Sequence, residues 1–220
     1  MPTSDYRNSK GDKLPGVTTI IGGSLGWSKN QLMWWAWKEG TEGRHFRETA
    51  DKAADAGTLA HLMAECDIKG VPFEMPEPTP TADVIAKAEA AYGAFVTWGK
   101  QTKVKIVQAE IPLVSESYQY GGTPDGIAKI GRQHLLLDIK TSNSTYADHL
   151  IQLAAYSRLW EENHPEMPLK GGYRLLRFGK EHGDFHDHAY PADALDGAWE
   201  AFMHLLALYR LKKPIEALAK

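Results

Sequence analysis

The chain has 220 residues, 43% of them apolar, and a formal net charge of −3, which suffices for one substantial hydrophobic core and leaves little for a second. This balance excludes a basic nucleic-acid coat, although an enzyme acting on nucleic acid needs only a local basic groove. No run reaches the roughly 18 apolar residues of a membrane span, and the lone Cys66 excludes an intrachain disulfide or a site built from several cysteines.

The start, Met-Pro-Thr-Ser-Asp-Tyr, has no basic region followed by an apolar run, so no secretion signal is expected and a cytoplasmic protein is. Residues 1–16 are polar and read as a flexible N-terminal segment, with residues 17–220 as a single domain. Val17-Thr-Thr-Ile-Ile21 is a short β-branched run ended by Gly22-Gly23. Leu32 to Trp37 reads as a helix with aromatic residues on more than one face. Ala50 to Asp67 reads as a helix carrying His61 and Glu65. Gly70 and Pro72, Pro76, Pro78 and Pro80 mark a loop. Asp83 to Trp98 reads as an amphipathic helix that buries Val84, Ala88, Ala91, Tyr92 and Phe95.

The period then changes. Val104 to Leu113, Gly122 to Ile130 and Gln133 to Thr141 read as three strands. A helix follows over Ala147–Glu162, then two strands over Lys170–Phe178 and Asp184–Tyr190. A final helix runs from about Ala192 to Leu211. This is an α/β chain with a helical N-terminal portion.

The chemistry gathers in Gly121-Gly-Thr-Pro-Asp-Gly126 and Leu135-Leu-Leu-Asp-Ile-Lys-Thr141. Gly131-Arg132 suits a two-residue hairpin turn of type II′, with Gly131 supplying positive φ. Ile130 then pairs with Gln133, and counting back sets Asp125 opposite Asp138 on one face. Lys140 shares that face, while Leu135, Leu137 and Ile139 point to the other. Two adjacent carboxylates repel unless a cation sits between them, and such oxygen ligands suit Mg²⁺ or Mn²⁺. Lys140 adds a positive charge that can stabilise a phosphorane-like transition state.

Pro124-Asp125 followed by Asp138-Ile139-Lys140 resembles the signature of the PD-(D/E)XK nucleases. Gly57-Thr-Leu-Ala-His-Leu-Met-Ala-Glu65 resembles the upstream helix motif of their RecB-like exonuclease branch. Gln152-Leu-Ala-Ala-Tyr156 resembles its downstream QxxxY motif, and Val17-Thr-Thr-Ile20 is similar to the start of phage and mitochondrial genome-maintenance exonucleases of that branch. The resemblance implies a restriction-endonuclease-like mixed sheet flanked by helices. It implies that His61, Asp125, Asp138 and the carbonyl of Ile139 bind the metal, and that Lys140 is the catalytic lysine. Gln152 and Tyr156 position the strand or brace the site, and Glu110 matches an acidic residue on the strand before the hairpin. The iron–sulfur cluster of one branch relative needs four cysteines and is not expected here.

Other residues read more plainly. Glu65 is either a partner to His61 or a solvated charge. His182, His186 and His188 fall across a turn and a strand as ordinary exposed histidines, and Cys66 reads as a small buried residue. The Trp34-Trp35-Trp37 cluster reads as core rather than as a stacking platform for bases. Arg44, Arg47, Lys100, Lys103, Lys105, Lys170, Arg174 and Arg177 are candidates to line a groove, and Ser142 to Tyr146 is either a phosphate-contacting or a plain loop. The expected function is a metal-dependent DNA exonuclease that prefers single-stranded ends, in a bacterial or phage-infected cell. A recombination protein or helicase is a possible source of its substrate. The alternatives are a structure-selective or restriction-like endonuclease, and an inactive nucleic-acid-binding or interaction protein that keeps the fold.

Overall fold

The computed structural model describes residues 5–26, 29–43, 56–179 and 182–219. Arg44, Arg47 and the first residues of the helix expected from Ala50 lie outside them.

The N-terminal portion is helical. α1 (Val17–Ser24) runs through both glycines and buries Val17, Ile20 and Ile21. The β-branched run is therefore not extended. Its apolar residues recur at helical spacing, and that single buried face outweighs their weak helix propensity. α2 (Lys29–Thr41) follows. α3 (Ala56–Lys69) and α4 (Ala82–Thr102) pack together. The Thr81 side chain caps α4 by accepting from the Val84 N–H.

A five-stranded mixed sheet forms the centre: β1 (Lys105–Ala109), β4 (Gly126–Ile130), β5 (Gln133–Thr141), β6 (Tyr173–Phe178) and β7 (Phe185–Tyr190), in that order. Only β5 and β6 are parallel. A parallel pair requires a crossover, and α5 (Ala147–Asn163) supplies it. The expected strand over 104–113 stops at Ala109, because Glu110 turns the chain at φ 47°. The remainder becomes β2 (Leu113–Ser115), which pairs with β3 (Tyr120–Gly122) in a separate small sheet. α6 (Asp196–Leu218) continues beyond Leu211 through Pro214.

The alternation of β5 divides the core. Leu136 faces α1, α5 and α6 together with Ile127, Tyr173, Leu175, Trp160 and Phe202. Leu135, Leu137 and Ile139 face α3 and α4 with Phe95, Trp98 and Phe178. Each fully buried large apolar side chain contributes roughly 1.5–3 kcal/mol, so a one-residue slip of β5 would cost many times that. The architecture is a mixed sheet flanked by helices with a helical N-terminal portion, as expected from the sequence.

Candidate active site

The hairpin fixes the two aspartates. Ile130 pairs with Gln133 and Gly126 with Leu137, around a turn with Gly131 at φ 60°. The paired register ends at Gly126 and Leu137, one residue short of Asp125 and Asp138. The two strands are joined further by the side chain of Asp125, whose Oδ2 accepts the Ile139 N–H at 2.6 Å. The Glu110 N–H donates to the Asp125 carbonyl at 3.2 Å.

Gly121 and Gly122 aim this segment. A Cβ on Gly121 would lie 2.3 Å from the Tyr6 ring, and one on Gly122 would lie 2.6 Å from the Tyr156 ring. The backbone leading to Pro124-Asp125 thus runs between two aromatic rings and leaves no room for a side chain. Tyr6 also hydrogen-bonds Thr123 through its hydroxyl at 3.0 Å.

Asp138 is 1% exposed and lies 2.7 Å from Lys140 Nζ. That contact is ionic rather than a well-directed hydrogen bond, and Oδ1 has no partner. Burial pushes the Asp138 carboxyl up to about 6, with Lys140 opposing and Asp125 adding to the rise. Burial raises Asp125 as well, against the pull of Lys140 and the Ile139 N–H. Lys140 is held above its ordinary value: burial works against its charge, and the two aspartates outweigh burial.

α3 brings His61 to the same place. A Cβ on Gly57 would lie 3.1 Å from the carbonyl oxygens of Phe178 and Gly179, so glycine lets the helix close onto the end of β6 one turn before His61. Burial lowers the His61 pKa and keeps the imidazole neutral, as a metal ligand must be. Glu65 and Lys69 follow on the same helix face. Lys69 Nζ sits 2.5 Å from Glu65 and 2.6 Å from Glu110. His61, Glu65, Lys69, Glu110, Asp125 and Ile139 line one small cavity.

α5 closes the other side. Gln152 Nε2 donates to the Tyr156 hydroxyl at 2.8 Å. Tyr156 is buried in the core, and its pKa is driven up by burial and by the nearby Asp138. It therefore serves as packing for Gly122 and as a neighbour of the site.

Among the described residues no three His, Cys, Asp or Glu side chains are arranged to hold a metal ion. Lys140 lies against Asp138, Lys69 against Glu65 and Glu110, and Asp125 against a backbone N–H. The donor chemistry nevertheless fits a hard divalent cation: two carboxylates, one with a buried unpartnered oxygen, a neutral imidazole and a nearby carbonyl.

No protein-family model matches the chain, and no curated protein matches it. Among solved structures, one similar backbone is a protein of Eubacterium rectale that carries a provisional exonuclease name. It is 13% identical, with a TM-score of 0.48, over 71% of this chain and 65% of that one. An alkaline exonuclease from Laribacter hongkongensis is 13% identical, with a TM-score of 0.35, over 74% of this chain and 82% of that one. The chain thus spans just under two thirds of the first protein's length. No helix among the described residues is long and apolar enough to cross a membrane.

Several expectations away from the centre need correction. Trp34 and Trp37 are not core: they are 61% and 65% exposed on α2. Cys66 is half-buried rather than buried. Arg177 does not line a groove, because it is buried, and Arg174 is held in an ion pair. Arg174 pairs with Asp187 at 2.7 Å on the α4 side of the sheet. Arg177 pairs with Asp184 at 2.5 Å and donates to the Ser142 carbonyl at 2.7 Å. Lys103 and Lys105 lie at the end of β1 away from Glu110. His186 contacts Asp184 at 3.0 Å and stacks on His188.

Three residues near the site take roles that the sequence did not lead one to expect. Lys69 stands at i+4 from Glu65 and i+8 from His61, a spacing that was visible. His149 Nδ1 accepts the Tyr146 N–H at 3.3 Å at the start of α5, and its pKa is lowered by burial and by Lys140. Arg177 anchors the loop two residues after Lys140, and only the fold brings it there.

Proposed function

We propose that this chain is a metal-dependent deoxyribonuclease of the PD-(D/E)XK superfamily. The observation that carries this reading is Asp138: a buried carboxylate with an unpartnered oxygen, beside a lysine and a second carboxylate, Asp125, which itself lines a cavity with His61.

His61, Asp125, Asp138 and the Ile139 carbonyl would hold Mg²⁺ or Mn²⁺. A cation bound there supplies charge compensation for a phosphate and eases deprotonation of water. The remaining work falls to the chain's own residues. Lys140 keeps a positive charge within reach of Asp138, where it offsets charge that develops on a phosphoryl oxygen and orients the attacking water. Asp125 is held by the Ile139 N–H, so its second oxygen is left for a ligand. Tyr156 and Gln152 brace the backbone that carries Asp125 and keep that wall of the site from relaxing.

The finer reading is exonuclease action on single-stranded ends. The exposed indoles of Trp34 and Trp37 support it, since aromatic faces stack on unpaired bases without regard to sequence. The test is digestion of end-labelled linear and closed circular single-stranded DNA with Mg²⁺, Mn²⁺ or chelator. Loss of linear DNA with intact circles is expected. Cleavage of the circles would replace the exonuclease reading with an endonuclease one, and loss of neither substrate would leave a binding protein.

A further inference from the structure

The cavity that holds Asp125 and Ile139 is shared by a second pair of carboxylates, Glu65 and Glu110, and that pair already has a cation. Lys69 Nζ lies within 2.6 Å of both. We propose that Lys69 is a built-in counter-ion that limits this site to a single divalent cation. The inference rests on the metal-dependent reading above and goes beyond it in fixing how many ions the site takes.

Charge and space both point this way. Glu65, Glu110 and Asp125 line the cavity with Lys69, and Asp138 and Lys140 pair on either side of Ile139; with the aspartates ionised, these six groups leave two negative charges uncompensated. One divalent cation neutralises them. A second would leave the cluster net positive at the cost of expelling an ammonium that already contacts two carboxylates. The cavity measures about 10 Å³, about the room of one water-sized body. Geometry agrees as well. Lys69 comes from α3 and Glu110 from the turn after β1, so this ion pair ties the helix bearing His61 to the strand end bearing the Asp125 contact. Replacing the ammonium by a neutral side chain frees two carboxylates that already converge on one point, and oxygen ligands so placed suit Mn²⁺.

The probe is Mn²⁺ alone, titrated into the full chain without DNA and read by calorimetry and electron paramagnetic resonance. Wild type is expected to bind one ion per chain, Lys69→Met two, and Lys69→Arg one. Adding Glu65→Gln to Lys69→Met should return the count to one. Two ions in wild type, or one in a folded Lys69→Met, would overturn the proposal while leaving the nuclease reading in place. No bound ion in wild type would overturn both.

Discussion

Replacing Asp138 by asparagine should stabilise the fold in the absence of metal. Asp138 is 1% exposed, and its carboxyl is pushed from an ordinary 3.8 up to about 6. That displacement already includes the attraction of Lys140, so it measures the net cost of keeping the charge in the folded state. At neutral pH it amounts to about 3 kcal/mol. The sign follows from the two proton affinities. Below about pH 3.8 the group is protonated whether the chain is folded or not, and nothing is lost. As pH rises toward about 6 the unfolded chain releases the proton first, so wild type loses stability across that window and stays lower above it. Asparagine has nearly the same shape and no such loss. For a chain of this size Asp138→Asn should raise Tm by roughly 5–10 °C at pH 8 in chelator, and the difference should shrink toward pH 4. Added Mn²⁺ should reverse the order, because only wild type gains from binding. Thermal unfolding across pH 4–8, with and without Mn²⁺, reads all of this. A variant less stable than wild type in chelator at pH 8 would refute the reasoning, since Asp138 would then be a satisfied structural charge.

Gly122→Ala should destabilise by about 1–3 kcal/mol and lower cleavage, because the new Cβ meets the buried Tyr156 and Leu159 side chains at 2.6 and 2.9 Å; unchanged urea midpoint and activity would show that this wall yields. Glu110→Gly should gain about 1 kcal/mol by relieving the left-handed backbone at φ 47° while reducing cleavage. A loss of stability in that variant would mean that the ion pair to Lys69 outweighs the strain. Arg177→Met should remove part of the acid sensitivity of the fold. Although burial tends to raise the Asp184 carboxyl, Arg177 holds it below its ordinary value, so this pair contributes stability above about pH 3.8 that is lost as pH falls further. Identical acid unfolding of variant and wild type would contradict that assignment.

The hairpin was legible because it rests on local rules. A positive-φ glycine fixes the turn, the turn fixes the register, and the period of two fixes which side chains share a face. Asp138 and Lys140 follow directly, and Asp125 stands one residue past the paired register. The helices bearing His61 and Gln152/Tyr156 were legible as elements, and their approach to the hairpin was expected from motif order. What escaped depended on packing between distant segments. Val17 to Ile21 favour strand by composition, yet they form a helix because the fold offers one buried face at helical spacing. Trp34, Trp35 and Trp37 look like core by hydrophobicity, yet Trp34 and Trp37 stay exposed on α2. The break at Glu110 rests on a left-handed residue that is not glycine, so no sequence signal marks it. Arg177 resembles a groove residue until β6 is placed beside β5, where its carbonyl contact to Ser142 becomes apparent.

The central claim is that Asp125, Asp138 and Lys140 form a metal-dependent phosphodiester-hydrolysing centre. Its most direct test is cleavage of end-labelled single-stranded DNA by wild type and Asp138→Asn, each with Mg²⁺, Mn²⁺ or chelator. The expected result is hydrolysis by wild type with either metal, none in chelator, and none by the folded variant under any condition. Hydrolysis by Asp138→Asn at the wild-type rate, or by wild type in chelator, would contradict it.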